Sequence, residues 1–441
     1  MPAVSQQLRH PRVLSPGAIG EPVEIGTVRC HTWPMPTLTE EILDLARKEG
    51  ADAAGVCDTS AFPEARATLV RHKETGWSGP LRFTFDHPLE ATNVTESFPW
   101  ANSLVILAHD YLDRSPPPAE GGAMVARFAT SDHYQPLRAI AEVVAGSLRD
   151  YGYRAETLID DNRLADRLPA VRSGLGWRGR STMVLAPGHG PWLLLGSVVT
   201  DARLAPSAPS ARGCGTCTAC IPACPTAAIT EHGLDARRCL STWLQTAGSI
   251  PLWIRPLVGR RIYGCDECLL ACPPGFPRLR SIGGRSPELS FAELLQTDDQ
   301  ALVTRFAHWY IPRRQGRYLR RNLLVAAGNS GEQSAWGEIT AHLGHRSALI
   351  RGHASWALAR SGAPHAEEAL QVLADTETSP QVRDEAEVAL MMLENPDSYQ
   401  ALLDDDERRL TGSAPGGIAE PVAQRHHRLG VDLANPGLGD T

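Results

Sequence analysis

The sequence predicts an α/β domain, then a cysteine-rich domain, then an array of helical repeats. Three observations carry this. Short apolar runs alternate with amphipathic helices over residues 37–205. Eight of the ten cysteines fall between Cys214 and Cys272. From about residue 319, similar helical segments recur at a near-constant interval. The 441 residues are 42% hydrophobic and 21% charged, which suits a folded globular chain and excludes a disordered or fibrous one. The net charge of −7 means that any nucleic-acid binding must come from a local basic patch. The start, MPAVSQQLRH, has no apolar h-region, so no signal peptide is expected. No run approaches the length of a membrane span, so a cytoplasmic protein is expected.

Residues 1–36 are rich in Pro, Gly and Val without helical period, and read as a flexible extension. Thr37-Leu-Thr-Glu40 is a capping box that opens a helix ending at Gly50. Asp52 to Val56 and Ser103 to Ala108 read as strands, the second buried. A helix is predicted from about Pro136 to Tyr151, with Leu137, Ile140, Ala141, Val144 and Leu148 on one face. Arg154 to Ile159 is a strand and Asp166 to Ser173 a helix. Thr182–Leu185 and Trp192–Thr200 flank Pro187-Gly-His-Gly-Pro191 as a hairpin. A Pro/Ser/Ala linker at 205–210 leads into the cysteine-rich domain, 206–285. Ser290-Phe-Ala-Glu293 is a second capping box, and a helical region spans 286–403. Arg320, Arg351 and Arg383 lie 31 and 32 residues apart, with Ala326, Ala357 and Ala389 six positions after each. This pattern suits a short HEAT-like solenoid; a plain helical bundle is the alternative. Residues 404–441 are acidic, then Gly/Pro-rich, and are expected to be disordered.

Cys214, Cys217, Cys220 and Cys224, followed by Pro225, spell C-x2-C-x2-C-x3-C-P, the run of bacterial ferredoxins. Cys239, Cys265, Cys268 and Cys272, followed by Pro273, repeat it with an insertion after the first cysteine. Two [4Fe–4S] clusters follow from this arrangement. The fourth cysteine of each run serves the other cluster. That assigns Cys214, Cys217, Cys220 and Cys272 to one cluster, and Cys224, Cys239, Cys265 and Cys268 to the second. Zinc and disulfides are the alternatives. Zinc favours paired C-x2-C ligands, and disulfides need an oxidising compartment. Cys30 and Cys57 have no ligand-type neighbours and read as incidental thiols.

The stretch from Pro312 to Arg321 packs five arginines into nine positions. Arg313, Arg314, Arg317, Arg320 and Arg321, with Tyr318 to stack on a base, read as a phosphate-binding footprint for RNA. A solvated helix face is the alternative.

The sequence around the cysteines narrows the class. Arg261-Ile-Tyr-Gly-Cys-Asp-Glu-Cys-Leu-Leu-Ala-Cys-Pro273 and Arg238-Cys-Leu-Ser241 resemble the second-cluster motif of epoxyqueuosine reductases. Ser173-Gly-Leu-Gly-Trp-Arg-Gly-Arg-Ser-Thr182 is similar to that family's AGLGWIGKNT. Leu195-Gly-Ser-Val-Val-Thr-Asp201 resembles its LGELLTD, and Leu319 to Asn329 its LRNALVALGN. The resemblance covers roughly residues 38–395 in order. It implies a nitroreductase-like α/β core holding cobalamin, a ferredoxin-like two-cluster domain, and reduction of epoxyqueuosine at the tRNA wobble position. The implied partners are the tRNA anticodon stem-loop and an electron donor such as flavodoxin or ferredoxin, with the enzyme a monomer.

The family's acid loop, Arg-Tyr-Ala…Gly-x-Asp-Tyr-His, falls on Arg127-Phe-Ala-Thr-Ser-Asp-His-Tyr-Gln135. Without a gap its aspartate lands on His133; a shift of one makes Asp132 the acid. Asp132 is the expected donor and His133 the second, with a helix cap the alternative for Asp132. The resemblance also places Asp160, Gly174, Gly176, Trp177 and Gly179 beside the corrinoid, and Ser241, Tyr263 and Gly264 where corrinoid and cluster meet. The altered loop leaves open a divergent reductase of another substrate. A non-catalytic electron-transfer protein is the remaining alternative.

Overall fold

The computed structural model describes residues 37–112 and 116–412. The extension expected over 1–36 lies outside the described residues. The first helix, Leu38–Lys48, carries Glu40 and Glu41 in its first turn and Arg47 and Lys48 in its last, each complementing the helix dipole. Ile42 and Ala46, one turn apart, are its buried residues. Gly50 adopts φ +104 just beyond it, a conformation that only glycine enters freely.

The strands are β1 (Ala53–Asp58), β2 (Ser103–Asp110), β3 (Met124–Val125), β4 (Ala155–Leu158), β5 (Trp177–Arg178), β6 (Val184–Leu185), β7 (Leu193–Thr200), β8 (Ile229–Thr230), β9 (Gly233–Leu234) and β10 (Arg261–Tyr263). The main sheet has the order β1-β2-β7-β4, and every pairing in it is antiparallel. Helices and strands alternate as expected, but the strand directions are not those of a parallel α/β sheet. The sheet is covered on both faces. Val105 and Leu107 enter one apolar cluster, while Leu104, Ile106 and Ala108 enter another. The helix Tyr134–Asp150 covers the first face and buries Leu137, Ile140, Ala141, Val144 and Leu148, as its period predicts.

The predicted hairpin is not formed. β6 pairs with β5, with Trp177 opposite Leu185, whereas β7 pairs with β2 and β4. A single bridge from Ala186 to Gly190 closes the turn. The eight residues of β7 find a full-length partner in β2, from Asp110 opposite Leu193 to Ser103 opposite Thr200. A two-residue β6 cannot compete for that ladder. Residues 59–102 contain the helix Pro63–Glu74 and short helical turns at Phe83–Asp86, Pro88–Thr92 and Val94–Ser97.

β10 runs parallel to β3 and so splices the cysteine-rich segment onto the preceding region. A single apolar cluster then extends from Leu240 to Leu403. The boundary drawn at 285/286 is therefore not a boundary of the core. Ser290 does cap its helix, accepting from the Glu293 amide at 3.3 Å. Helices Arg317–Ser330, Ala348–Ser361 and Pro380–Glu394 pack in succession, with Ala326, Ala357 and Ala389 all fully buried between them. A Cβ on Gly328 would stand 2.7 Å from the Ala357 Cα, so the first two helices meet backbone to backbone. The disorder expected from 404 is not seen at its start. The helix Pro396–Thr411 crosses that point, anchored by buried Tyr399 and Leu403 and by a 2.5 Å contact between Arg238 and Glu407. Residues 413–441 lie outside the described residues.

The recurring arginines also have a structural role. Arg320 pairs with Asp299 at 2.7 Å, and Arg351 holds both oxygens of Glu377 at 2.6 and 2.9 Å. Arg351 and the Ser379 amide keep the Glu377 carboxyl down at about 2. A depressed carboxyl contributes stability above its ordinary value, and that contribution is lost as pH falls toward 2. Glu377→Gln is expected to lower the melting temperature at pH 7 and to flatten its dependence between pH 4.5 and 2. Parallel acid limbs for the two proteins would contradict this.

Candidate active site

The two cysteine runs fold into short helices that begin or end at the thiols. Cys220 opens the helix Cys220–Ala223, Cys239 precedes Leu240–Gln245, and Cys268 lies within Glu267–Leu270. The Cys272 thiol is pushed up to about 12 by burial and then by Cys214, Cys220 and Cys217. Burial raises Cys268 as well, with Cys265, Cys239 and Cys224 adding to it. Cys272 thus lies within electrostatic reach of Cys214, Cys217 and Cys220, and Cys268 within reach of Cys224, Cys239 and Cys265. Crowded soft donors of this kind fit iron–sulfur ligation, in which bound iron would offset the cost of the thiolates. Cys224 Sγ accepts the Ala228 amide at 3.2 Å. Arg180 reaches from the 173–182 segment to the carbonyls of Cys217 and Gly215, both at 3.0 Å, and fixes the loop of the first quartet.

Near the second set of thiols the fold gathers a group of titratable side chains around Asp160. Asp160 sits there on a strained backbone, φ +52, with its side chain open to solvent. Tyr134, Tyr263, Asp166 and Arg167 surround it. Burial raises the phenols of Tyr134 and Tyr263, and Asp160 adds to both shifts. Asp166 is also raised, by burial and then by Asp160, and its Oδ1 has no hydrogen-bond partner. Cys268 acts electrostatically on both Arg167 and Tyr111, which places it near this group. Asp166 was read from the sequence only as a helix start. Its isolation became visible when the fold removed water from it. Asp266, between two of the cysteines, was also missed. Burial pushes it up to about 6, and it accepts the Arg127 amide at 2.7 Å, linking the cysteine loop to the 127–133 loop.

That loop carries both expected proton donors. Asp132 is exposed, accepts the Gln135 amide at 3.1 Å and lies 3.6 Å from Arg138. This is a helix-start contact, and it leaves the carboxylate open to solvent. His133 is turned inward, 2% exposed, with Nε2 3.2 Å from Thr130 Oγ1 and 3.1 Å from Ser131 Oγ. The Ala129 carbonyl of the same loop accepts from Trp309 Nε1 at 2.7 Å and from the His308 ring at 3.0 Å. Tyr263 stacks on Trp309 at 4.4 Å, and Trp309 on Phe306 at 3.9 Å. The Tyr263 hydroxyl accepts the Tyr310 amide at 2.9 Å and lies 3.2 Å from Gln245, which in turn binds Ser241 Oγ at 2.7 Å. Ser241 and Tyr263 therefore share one polar network.

Several expectations are corrected. A Cβ on Gly174 would stand 2.0 Å from the Ala208 carbonyl oxygen, and one on Gly176 2.1 Å from that of Leu185. On Gly179 it would meet Leu185 Cδ1 at 2.3 Å, and on Gly264 the Ala126 Cβ at 2.5 Å. These glycines admit neighbouring protein, not a flat ligand. Trp177 is buried opposite Leu185 in a two-stranded ladder, with its Nε1 unpartnered.

The arginine run is likewise divided. Arg321 is fully buried and donates to the Trp243 and Gly248 carbonyls. Arg320, 5% exposed, serves Asp299 and the carbonyls of Leu295 and Thr297. Arg314 donates to the carbonyls of Val303, Ala307 and Trp309, and Tyr318 is buried. Carbonyl-rich segment ends claim these guanidiniums before a phosphate can. Arg313 and Arg317 remain accessible.

The family model described as "4Fe-4S double cluster binding domain" matches residues 213–275. A protein of Alicycliphilus denitrificans named epoxyqueuosine reductase is 34% identical, the match covering 73% of this chain and 98% of that protein. A protein of the same name from Pseudomonas aeruginosa is 32% identical over 74% of this chain and 95% of its own length. Among solved structures, that of epoxyqueuosine reductase with an epoxyqueuosine-modified tRNA-Tyr stem loop superposes with a TM-score of 0.73 at 26% identity, covering 81% of this chain and 99% of that one. A Bacillus subtilis structure, described with its catalytic aspartate loop swung out of the active site, gives 0.72 at 26% identity, with coverages of 81% and 99%.

Proposed function

This chain belongs to the epoxyqueuosine reductase family, and from that premise we propose that it reduces epoxyqueuosine to queuosine at the wobble position of tRNA. The observation that carries the reading is Cys268 lying near Arg167, next to the group formed by Asp160, Tyr134 and Tyr263. Converting the epoxide to an alkene consumes two electrons and two protons and releases water. Two [4Fe–4S] clusters, on Cys214, Cys217, Cys220 and Cys272 and on Cys224, Cys239, Cys265 and Cys268, supply electrons singly at low potential.

The residues around Asp160 fit cobalamin. Asp160 stands at an exposed position, where its carboxyl can meet a large amide-bearing ligand, and Cys268 lies near enough to act on the neighbouring Arg167. Asp160, Tyr134 and the Ser241–Tyr263 network would hold it within a nitroreductase-like core. Bound there, cobalamin supplies a metal centre able to pass electrons to carbon, which side chains cannot do. Asp132 donates the proton to the departing oxygen, since it is the exposed acid of the loop. Arg138 beside it steadies the carboxylate that remains. The stacked helices beyond residue 317 form a HEAT-like cradle for the anticodon stem. Among the described residues no helix is long and apolar enough to cross a membrane, and a cytoplasmic monomer receiving electrons from a flavodoxin or ferredoxin fits the reading.

Anaerobic protein with reconstituted clusters and cobalamin, assayed on epoxyqueuosine-containing tRNA, is expected to form queuosine. Corrinoid binding without queuosine formation would point to another substrate, and no corrinoid binding to an electron carrier. Asp132→Asn should lower turnover by about 10²–10⁴. Full activity of this variant, with loss in His133→Asn, would move the donor to His133.

A further inference from the structure

Away from Asp160 and its neighbours, a cavity of about 580 Å³ opens on the helical region, lined by Asp299, Arg317, His345, Arg346, Ser347 and the first residues of the helix Ala348–Ser361. Its charges are unbalanced. The Asp299 carboxylate is engaged by Arg320 at 2.7 Å. Arg346 is exposed and, among the described residues, has no carboxylate within ion-pair distance. Arg317 has none either; it donates to the Tyr318 hydroxyl at 3.1 Å, and its buried Nε has no acceptor. A guanidinium nitrogen left without an acceptor is costly unless a ligand supplies one.

The remaining donors converge on the same space. His345 Nδ1 accepts the Ser347 amide at 3.0 Å, which leaves Nε2 carrying the proton as a donor. The Ser347 side chain makes no cap bond, and the first bonded amides of the helix are those of Ile350 and Arg351. The amides of Ala348 and Leu349, at the positive end of a 14-residue helix, are therefore available. Two unpaired guanidiniums, an imidazole N–H and two amides form a donor set for a tetrahedral oxyanion.

We propose that this cavity binds a backbone phosphodiester of the RNA substrate and anchors the stem at a distance from the reacting base. This rests on the tRNA reading above. It also replaces the broad arginine footprint with a defined site to which Arg317 alone of that run contributes.

The test uses the full chain with both clusters in place, fluorescently labelled epoxyqueuosine-containing tRNA, and binding anisotropy across a salt series. Arg346→Ala should weaken binding about 5-fold and Arg317→Ala/Arg346→Ala about 10-fold or more, and the slope of log affinity against log salt should shrink by about 1, one phosphate contact. Arg47→Ala, which removes the same charge from the first helix, should leave the slope unchanged. Cluster absorbance and melting temperature report on folding in each variant, and Arg346→Glu, at an exposed position, provides a second substitution. If wild type binds tRNA and the cavity variants match it in affinity and slope, the proposal is overturned while the enzymatic reading stands. If wild type does not bind tRNA, both fail. Inorganic phosphate is the other probe. Arg346-dependent binding of phosphate, with tRNA affinity unchanged in Arg346→Ala, would identify a free-anion site and overturn the RNA assignment.

Discussion

Cys268→Ala is expected to reduce queuosine formation to background and to leave about four irons per chain in place of about eight. Cys268 lies in a buried helix and belongs electrostatically with Cys265, Cys239 and Cys224. On the proposed assignment, removing one thiolate leaves three ligands on the second cluster, while the four cysteines assigned to the first, Cys272 among them, stay complete. The effect on chemistry should exceed the effect on folding, because Leu269 and Leu270 beside it still pack into the apolar cluster of the sheet. Cys57→Ala is the comparison. That thiol is also buried and is raised to about 12, but it sits in the sheet among apolar residues. Its loss should cost about 1–2 kcal/mol and no iron. Iron and sulfide analysis with a turnover assay decides the matter: full iron content and activity in Cys268→Ala would remove it from the ligand set.

Arg255→Ala should be the most destabilising single change, at about 3–5 kcal/mol. Arg255 is 1% exposed, holds both oxygens of Glu385 at 2.7 and 2.6 Å, and donates to the Ile250 carbonyl at 2.9 Å. It joins the segment following Cys239 to the third stacked helix. Truncation leaves the Glu385 carboxylate half-buried without its cation and opens a void beside Trp356, whose ring lies 6.0 Å from the guanidinium. Much of the loss therefore comes from what remains behind. Arg255→Met with Glu385→Leu should recover most of it, since a buried ion pair and a well-packed apolar pair are often close in stability. Melting curves at one scan rate would show this. A double variant no more stable than Arg255→Ala would mean that the hydrogen bonds to carbonyls, not the pair, carry the effect.

The parts of this molecule legible in the sequence are those set by local spacing. The cysteine intervals mark the double-cluster segment, matched at residues 213–275, and the period of 134–150 identifies its buried face without reference to a neighbour. Failures arise where a distant partner decides. β7 was given to the nearest strand, but β2 offers eight paired positions. Gly174 and Gly176 were read as room for a ligand, but the Ala208 and Leu185 carbonyls fill that room. Arg320 and Arg321 look like any basic cluster in one dimension. Only the fold shows that carbonyls of residues 243–248 and 295–297 end beside them. The candidate acids show the same limit. An alignment shift separates Asp132 from His133, and the outward turn of one and inward turn of the other come from the packing of a single loop.

The Ala129 carbonyl, with its two donors from residues 308 and 309, has a mechanical meaning. Two residues separate it from Asp132, and the indole that grips it is stacked on the tyrosine of the cysteine strand. The loop is thus held to the helical layer through residue 129 and to the cysteine loop through Arg127 and Asp266, so a displacement of either layer is passed to the short segment that carries Asp132.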